Sequence, residues 1–285
     1  MSAARWLSLA LVVAGAAAGS MLDTYRVPDP VRAGGYYVIA ADLHVHAFPG
    51  DGALPAWELT EEAARRGLHA IVISNHNQTT AERLGRRFRR AGLPLLIAAQ
   101  EVTTPGFHLV AAGISRTVDW RLPELDLVNA IHAQGGVVIA AHPVGRYWRA
   151  GDAMLAVIDG AEVAHPLAHG RPAVRAELSA FFTRARTINP DIAPIGSSDF
   201  HMVAPLGLCR TFVFAESVTV EGVLEAIRAG RTVAEDKYGV LYGDPTLTLL
   251  LDRTAAIPVT PPARRLVLLS AAMVLMGLLA LVVLR

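Results

Sequence analysis

The chain has almost no cysteine and almost no lysine. Cys209 stands alone, so no intramolecular disulfide can form and a metal site built on paired thiolates is excluded. Any bound metal must be held mainly by nitrogen and oxygen ligands. Lys237 is the only lysine and the formal net charge is +1. With no basic block in the middle of the chain, the electrostatic footprint of sequence-independent nucleic-acid binding is missing. Nucleic acid is therefore not expected as an obligate partner. No convincing internal repeat and no low-complexity linker interrupts the 285 residues, a length that suits one sizeable catalytic domain with membrane appendages. Nothing in the sequence specifies an oligomeric state.

Apolar residues, by contrast, make up 53% of the chain, and much of the excess sits at its two ends. Residues 266–284 read LVLLSAAMVLMGLLALVVL, with no polar face and enough length to cross about 30 Å of hydrocarbon as a helix. A transmembrane helix is expected there, with the lipid bilayer as partner. At the other end Arg5 precedes a shorter Ala-rich run, and residues 1–22 fit either a signal peptide or a signal anchor. Either would export the chain downstream of it, giving a membrane-anchored protein with an extracytoplasmic catalytic domain. Arg264 and Arg265 would then flank the second span on its outer side, against the usual positive-inside bias. Residues 255–263, with three prolines, read as a short stiff tether between domain and helix.

Between the ends, short apolar runs alternate with amphipathic stretches, a pattern of parallel strands joined by crossover helices. Candidate strands begin at Tyr37, Ala70, Leu95, His108, Val137, Ala161, Ile192 and Thr211. Several are apolar throughout, as expected of strands covered on both faces. The intervening helices have readable ends. Pro55 suits a first turn, Thr79 with Glu82 makes a capping box, and Gly67, Gly92, Gly135 and Gly230 suit left-handed C-terminal caps. A further helix covers Val174 to Ile188. Such alternation allows a barrel or a doubly wound sheet. The chemically interesting residues favour the barrel, because nearly all follow the C-terminal end of a strand, the face on which α/β barrels carry their sites.

Those residues are scattered widely. Asp42-Leu43-His44-Val45-His46 closes the first strand, and residues two apart in an extended chain point the same way, so both imidazoles can reach one ion. Alone, this pair is weak evidence, since isolated histidines are common on surfaces and in cores. Asp51 comes next in a Gly-rich loop, where it either caps a turn or binds a second ion. His76 lies in Ser74-Asn75-His76-Asn77 after the second strand. Glu101 comes after the apolar run LLIAA, where a carboxylate is costly to desolvate unless it meets a cation or reaches solvent. His108 begins the next strand, Ala141-His142-Pro143 closes another, and Gly196-Ser197-Ser198-Asp199-Phe200-His201 supplies a D-x-H. Ala164-His165-Pro166 ends a strand as His142 does, which makes His165 a candidate for lining the pocket. His69 and His132 fall away from the strand ends and are expected to be structural.

In order and spacing, the phrases DLHVH, SNH, AAQE, FHLVAAG, AAHP and GSSDFH resemble the successive motifs of the PHP superfamily, named for polymerase and histidinol phosphatase domains. The resemblance covers roughly Tyr37 to Thr232, and VLEAIRAGRT is similar to the family's final helix. It implies a domain over residues 37–250 shaped as a distorted (β/α)7 barrel, with two or three divalent ions at its rim. By motif, His44, His46, Glu101 and Asp199 would hold one ion and Asp51, His76 and His201 a second. His108 and His142, with Glu101 bridging, would hold a third. Mixed imidazole and carboxylate ligands suit zinc, manganese or iron. The implied activity is hydrolysis of a small phosphomonoester or phosphodiester by a metal-activated water, with Asp199 and Glu101 at the reacting centre. Arg146, Arg210 and His165 are candidate contacts to the phosphorylated substrate, the competing reading of each arginine being a solvated surface residue. Asn75 stands where the family often has Asp, which removes a possible charged partner of His76. A metallohydrolase of a non-phosphate bond, or a non-catalytic metal-stabilised binding or sensory domain, are the alternatives on the same scaffold.

Overall fold

A computed structural model describes residues 2–23, 25–202, 204–251 and 264–283. The tether expected over 255–263 and the end of the last helix, residue 284, lie outside the described residues. The chain opens with α1 (Ala3–Leu22), followed by β1 (Arg32–Ala33), β2 (Tyr36–Val45), α2 (Ala56–Arg65), β3 (Ala70–Ile73), α3 (Thr80–Phe88) and β4 (Leu95–Thr103). It continues through β5 (His108–Ala112), α4 (Glu124–His132), β6 (Val137–Ala140), α5 (Asp152–Leu155), β7 (Gly160–Ala164), a 3-10 turn (Pro166–Ala168), α6 (Pro172–Ile188) and β8 (Ala193–Gly196). Then come β9 (Arg210–Ala215), α7 (Val220–Arg228), β10 (Thr232–Glu235), β11 (Leu241–Gly243), α8 (Pro245–Leu251) and α9 (Arg264–Val283). Two compact units result, Asp29–Ile257 and the two ends of the chain.

In the larger unit one sheet runs in the order β11-β10-β9-β2-β3-β4-β5-β6-β7-β8. Seven strands, β2, β3, β4, β6, β7, β8 and β10, share a direction, but of the strands expected from the sequence β5 and β9 run against their neighbours. The expectation of parallel pairing throughout is corrected at those two strands. For β5 the reason is local: only the four residues from Thr104 to Phe107 separate it from β4, and a link that short can join only antiparallel neighbours. The sheet curls into the expected distorted barrel, and its seam is closed by side chains. Thr211 Oγ1 accepts from Gly196 N at 2.9 Å and donates to Gly196 O at 2.8 Å, while Thr232 Oγ1 donates to Pro194 O at 2.8 Å.

Alternation along each strand divides the apolar residues between two faces. Ile39, Ala41, Val72, Ile97, Val110, Ile139 and Ile195 fill the interior together with Val223, Leu224 and Ile227 of α7. Leu224 packs at Gly113, just beyond the end of β5 opposite His108, where an added Cβ would lie 2.3 Å from the leucine Cδ1. The helix thus plugs one mouth of the barrel and leaves the other for chemistry. On the outer face α2 and α3 cover Ile71, Ile73 and Val45, and α4, α5 and α6 cover Leu109, Val138 and Val163. Helix ends obey the local code with two exceptions. Thr219 Oγ1 accepts from Gly222 N at 3.0 Å, and Gly67, Gly135 and Gly230 take positive φ at their helix ends. Gly92 also takes positive φ but lies in a turn beyond α3, whose C-cap is the extended Arg89. The capping box at Thr79 does not form, because its hydroxyl meets Thr117 Oγ1 at 3.2 Å and Glu82 turns to Arg86 at 2.7 Å.

The smaller unit pairs α1 with α9, each of 20 residues and apolar enough to cross a membrane. Small residues let the two backbones approach: a Cβ on Gly15 would lie 2.9 Å from Ser270 O, and one on Gly277 would lie 2.8 Å from Ser8 O. Ser8 and Ser270 turn their hydroxyls onto their own helices, to Ala4 O at 2.9 Å and Val267 O at 2.7 Å.

The seam makes a sharp prediction. Thr211→Val keeps the shape but strands both the N–H and the carbonyl of the buried Gly196. Loss of about 1–3 kcal/mol is expected, read as a lower denaturation midpoint of the purified protein; an unchanged midpoint would show that the seam does not depend on this hydroxyl.

Candidate metal centre

The open mouth gathers the strand ends. The end of β2 carries His44 and, one residue past the strand, His46 on the same side of an extended chain, both fully buried, with Nε2 atoms 3.1 Å apart. β4 brings Glu101, fully buried, to the same rim. Because β5 is antiparallel, its first residue rather than its last lies at this mouth, which is how His108 joins the group. His142 and Asp199 come after β6 and β8 with φ of 31° and 47°. Left-handed backbone at such residues is strained by about 1–3 kcal/mol and is a frequent mark of functional sites.

Glu101 is the hub. Its Oε2 lies 3.5 Å from His44 Nε2, 3.3 Å from His46 Nε2 and 2.7 Å from His76 Nδ1. Its Oε1 lies 2.7 Å from His108 Nδ1 and 3.2 Å from His142 Nε2. Asp199 Oδ1 faces the same two Nε2 atoms of His44 and His46 at 3.4 and 3.2 Å. A second cluster is more open to solvent: Asp51 Oδ2 lies 3.2 Å from His76 Nε2 and 3.1 Å from His201 Nε2, and Asp51 Oδ1 lies 3.0 Å from His46 Nδ1. All nine side chains singled out from the sequence as ligands are therefore brought to one mouth.

This arrangement fits divalent cations on its own chemistry. Lone pairs and negative charges converge from several directions, and the buried Glu101 Oε2 and Asp199 Oδ1 have no hydrogen bond among the described residues. Three groups that include Glu101, Asp199 or Asp51 have ligand atoms within 4.8 Å of one another. Without cations, protons take their place. Burial by itself would lower the His46 imidazole, but Asp199, Asp51 and Glu101 outweigh it and raise its pKa to about 10. Burial likewise opposes a charged His44, yet the carboxylates of Asp199, Glu162 and Glu101 hold it well above the usual range. In return, and against burial, His44 and the bonds from His108 and His142 keep Glu101 well below it.

Three residues that sequence reasoning did not single out as ligands hold the ligands in place. Glu162, fully buried in β7, lies 2.9 Å from His44 Nδ1, accepts the Ser197 hydroxyl, and accepts His142 N–H at 2.5 Å. Burial would raise its pKa, but His44 and His165 bring it down to about 2. It could have been found by the logic applied to Glu101, since it too is a carboxylate in an apolar run, Gly160-Ala-Glu-Val-Ala164. Asp42 accepts from Ser198 N at 3.0 Å and Gly207 N at 2.7 Å, tying the Asp199 loop to β2, although burial pushes its pKa up to about 6. Asn75 is not a weakened partner of His76. Its amide accepts from Ala47 N and donates to Ala47 O, both at 2.7 Å, a two-way clamp that an aspartate cannot make.

The candidate substrate contacts divide. Arg146 is exposed and stacks over Tyr147 at 4.3 Å, and that ring packs on His142 and His108. Arg210 is engaged within the sheet, 3.5 Å from Glu235 Oε2 and 3.2 Å from Gly207 O. His165 is buried, with Nε2 at 3.5 Å from Asp199 Oδ2. His69 accepts from Ala40 N at 3.0 Å and His132 pairs with Asp159 at 2.8 Å, both structural as expected.

Fold and site define a distorted α/β barrel with clusters of candidate metal ligands gathered at one mouth. Residues 189–232 match the model of the family described as PHP-associated. An uncharacterized protein of Methanocaldococcus jannaschii is 28% identical over 142 residues, covering 43% of this chain and 80% of the relative. The crystal structure of a two-domain protein of Bacteroides vulgatus containing a predicted PHP-like metal-dependent phosphoesterase is similar, with a TM-score of 0.63 and 23% identity over 80% of this chain and 72% of that one. The barrel thus shares the fold of that PHP-like structure, and the family match covers the stretch from just after α6 to the first residue of β10.

Because the imidazole of His46 is raised to about 10 without cations, loading must displace protons, and affinity for a divalent ion is expected to rise with pH between about 6 and 8. Calorimetry in buffers of different ionisation enthalpy should record that proton release. The sign for the metal-free fold is opposite. The raised His46 stabilises it fully below its ordinary value of 6.5, and this contribution is lost as pH climbs towards about 10.

Proposed function

We propose that this protein is a membrane-tethered, metal-dependent phosphoesterase acting on a small phosphomonoester or phosphodiester. The observation that carries the reading is the convergence of five imidazoles on the buried carboxylate of Glu101. His44, His46, Glu101 and Asp199 would hold one cation, Asp51, His76 and His201 another, and His108 and His142 with Glu101 a third. Zinc, manganese and iron suit this mixture of nitrogen and oxygen ligands. Such cations would supply the charge that acidifies a water and neutralises the oxygens of an in-line displacement at phosphorus.

The protein's own groups do the positioning. Glu162 accepts from His44 Nδ1 and so leaves Nε2 of that ring free to bind, and Asp51 does the same for His46. Asp42 and Ser198 hold the loop from which Asp199 reaches the centre. Arg146 remains the candidate for a phosphate oxygen, since Tyr147 holds it beside the rim. Among the described residues, no Ser or Cys nucleophile is required, and Cys209 is buried with its thiol pushed up to about 12.

The close packing of Gly15 and Gly277 against Ser270 and Ser8 supports an N-terminal helix that stays with the protein as an anchor, because small residues drive helix pairing in lipid. In that topology the domain lies outside the cytoplasm and both termini inside. A reporter placed near Pro30 should then report the outer compartment and one fused after Arg285 the cytoplasm.

Metal analysis of the purified protein, followed by assays with an aryl phosphate and an aryl phosphodiester, tests the activity. His44→Ala or Asp199→Ala should reduce hydrolysis by more than about a thousandfold, with the circular dichroism spectrum unchanged. Bound metal with no hydrolysis of either ester would favour a different bond or a non-catalytic domain.

A further inference from the structure

His165 and His142 sit in the same tripeptide, Ala-His-Pro, each at the end of a strand, yet their rings are held differently. His142 has a left-handed backbone and turns Nε2 to Glu101 Oε1 at 3.2 Å. His165 is extended, with φ of −148°, and caps the 3-10 turn after it: its Nδ1 accepts the N–H of Leu167 at 3.1 Å. Pro166 has no N–H, so Leu167 carries the first free donor of that turn, and the ring nitrogen satisfies it.

This contact settles the tautomer. A backbone N–H can only donate, so Nδ1 must present a lone pair, and in the neutral ring the proton then sits on Nε2. For Nε2 to offer a lone pair to a cation, Nδ1–H would have to face the Leu167 N–H, two donors against each other at 3.1 Å. The grouping of His44, Glu162 and His165, which could hold a cation by distance alone, is therefore disfavoured by chemistry. The Nε2–H is buried and has no hydrogen-bond partner among the described residues. It lies 3.5 Å from Asp199 Oδ2 and 3.7 Å from Glu162 Oε2, beyond bonding distance of either. An unsatisfied buried donor is costly, and this one points into the centre beside a candidate cation ligand.

We propose that His165 is a fixed, neutral hydrogen-bond donor for an oxygen of a bound phosphoryl group, and not a cation ligand. The proposal rests on the phosphoesterase reading. No proton leaves the ring. Nε2–H donates to an oxygen on which negative charge grows as the ester bond breaks, and the donor needs no reorganisation because Leu167 already holds the ring.

The test uses the full chain in detergent, loaded with metal, and two isosteres. Asn puts an amide where Nδ1 lies, so His165→Asn can keep the cap of Leu167 but leaves nothing at the Nε2 position. Gln reaches that position, so His165→Gln restores a donor. Both variants should hold the same equivalents of metal as the wild type. His165→Asn should bind inorganic phosphate about tenfold more weakly and lose about 10²–10³ in kcat on an aryl phosphate, while His165→Gln should stay within about threefold of wild type on both counts. Loss of a metal equivalent in either variant would overturn the assignment in favour of ligation. Unchanged phosphate affinity and turnover in His165→Asn would overturn the donor role alone. A wild type that neither binds phosphate nor cleaves the ester would instead overturn the reading on which the proposal rests.

Discussion

A carboxylate with no access to water has to be compensated, and Glu101 is the charge around which this barrel is organised. Its side chain is fully buried, where an isolated anion would take up a proton. Five imidazoles from β2, the loop after β3, the start of β5 and the end of β6 surround it. Three of them are in turn held by something else: His44 by Glu162, His46 by Asp51, His76 by Thr103. The mouth of the barrel is thus a single electrostatic assembly, and it can be neutralised either by cations or by protons on the histidines.

Bringing those groups together requires departures from a regular barrel. A parallel β5 would carry His108 to the opposite mouth, so the reversal of one strand is part of the site. Positive φ at His142 and Asp199 is disfavoured locally and persists because neighbours over-determine it. Glu162 accepts the N–H of His142, Asp42 accepts that of Ser198 next to Asp199, and Thr211 satisfies both backbone groups of Gly196. The polar residues that aim the ligands lie beside those that close the seam between β8 and β9, so local stability and site geometry depend on adjoining hydrogen bonds.

Much of this was readable along the chain. Apolar runs located the strands, Gly and Pro punctuated most of the helices, and the ligand residues stood out as histidines and carboxylates placed just beyond strand ends. The residues that were not legible are of another kind. Glu162 stands in an apolar run as Glu101 does, but nothing along the chain says that its carboxylate meets the His44 ring and the N–H of His142. Asn75 looks like the loss of a charge until its amide is found clamping Ala47 from both sides. The capping box at Thr79 had the right letters, but Arg86 and Thr117 compete for its members.

The sequence by itself determined the alternation of elements, the apolar ends and the chemical identity of the ligand set, because each depends on residue type and short-range spacing. Tertiary structure alone decided which strands run backwards, where the sheet closes and which nitrogen of each histidine is free. The two Ala-His-Pro tripeptides make the point: identical letters become a neighbour of Glu101 in one place and a cap on a turn in the other. A side chain's role in a buried site is set by the partners that reach its second polar atom, and those partners are contributed by distant parts of the chain.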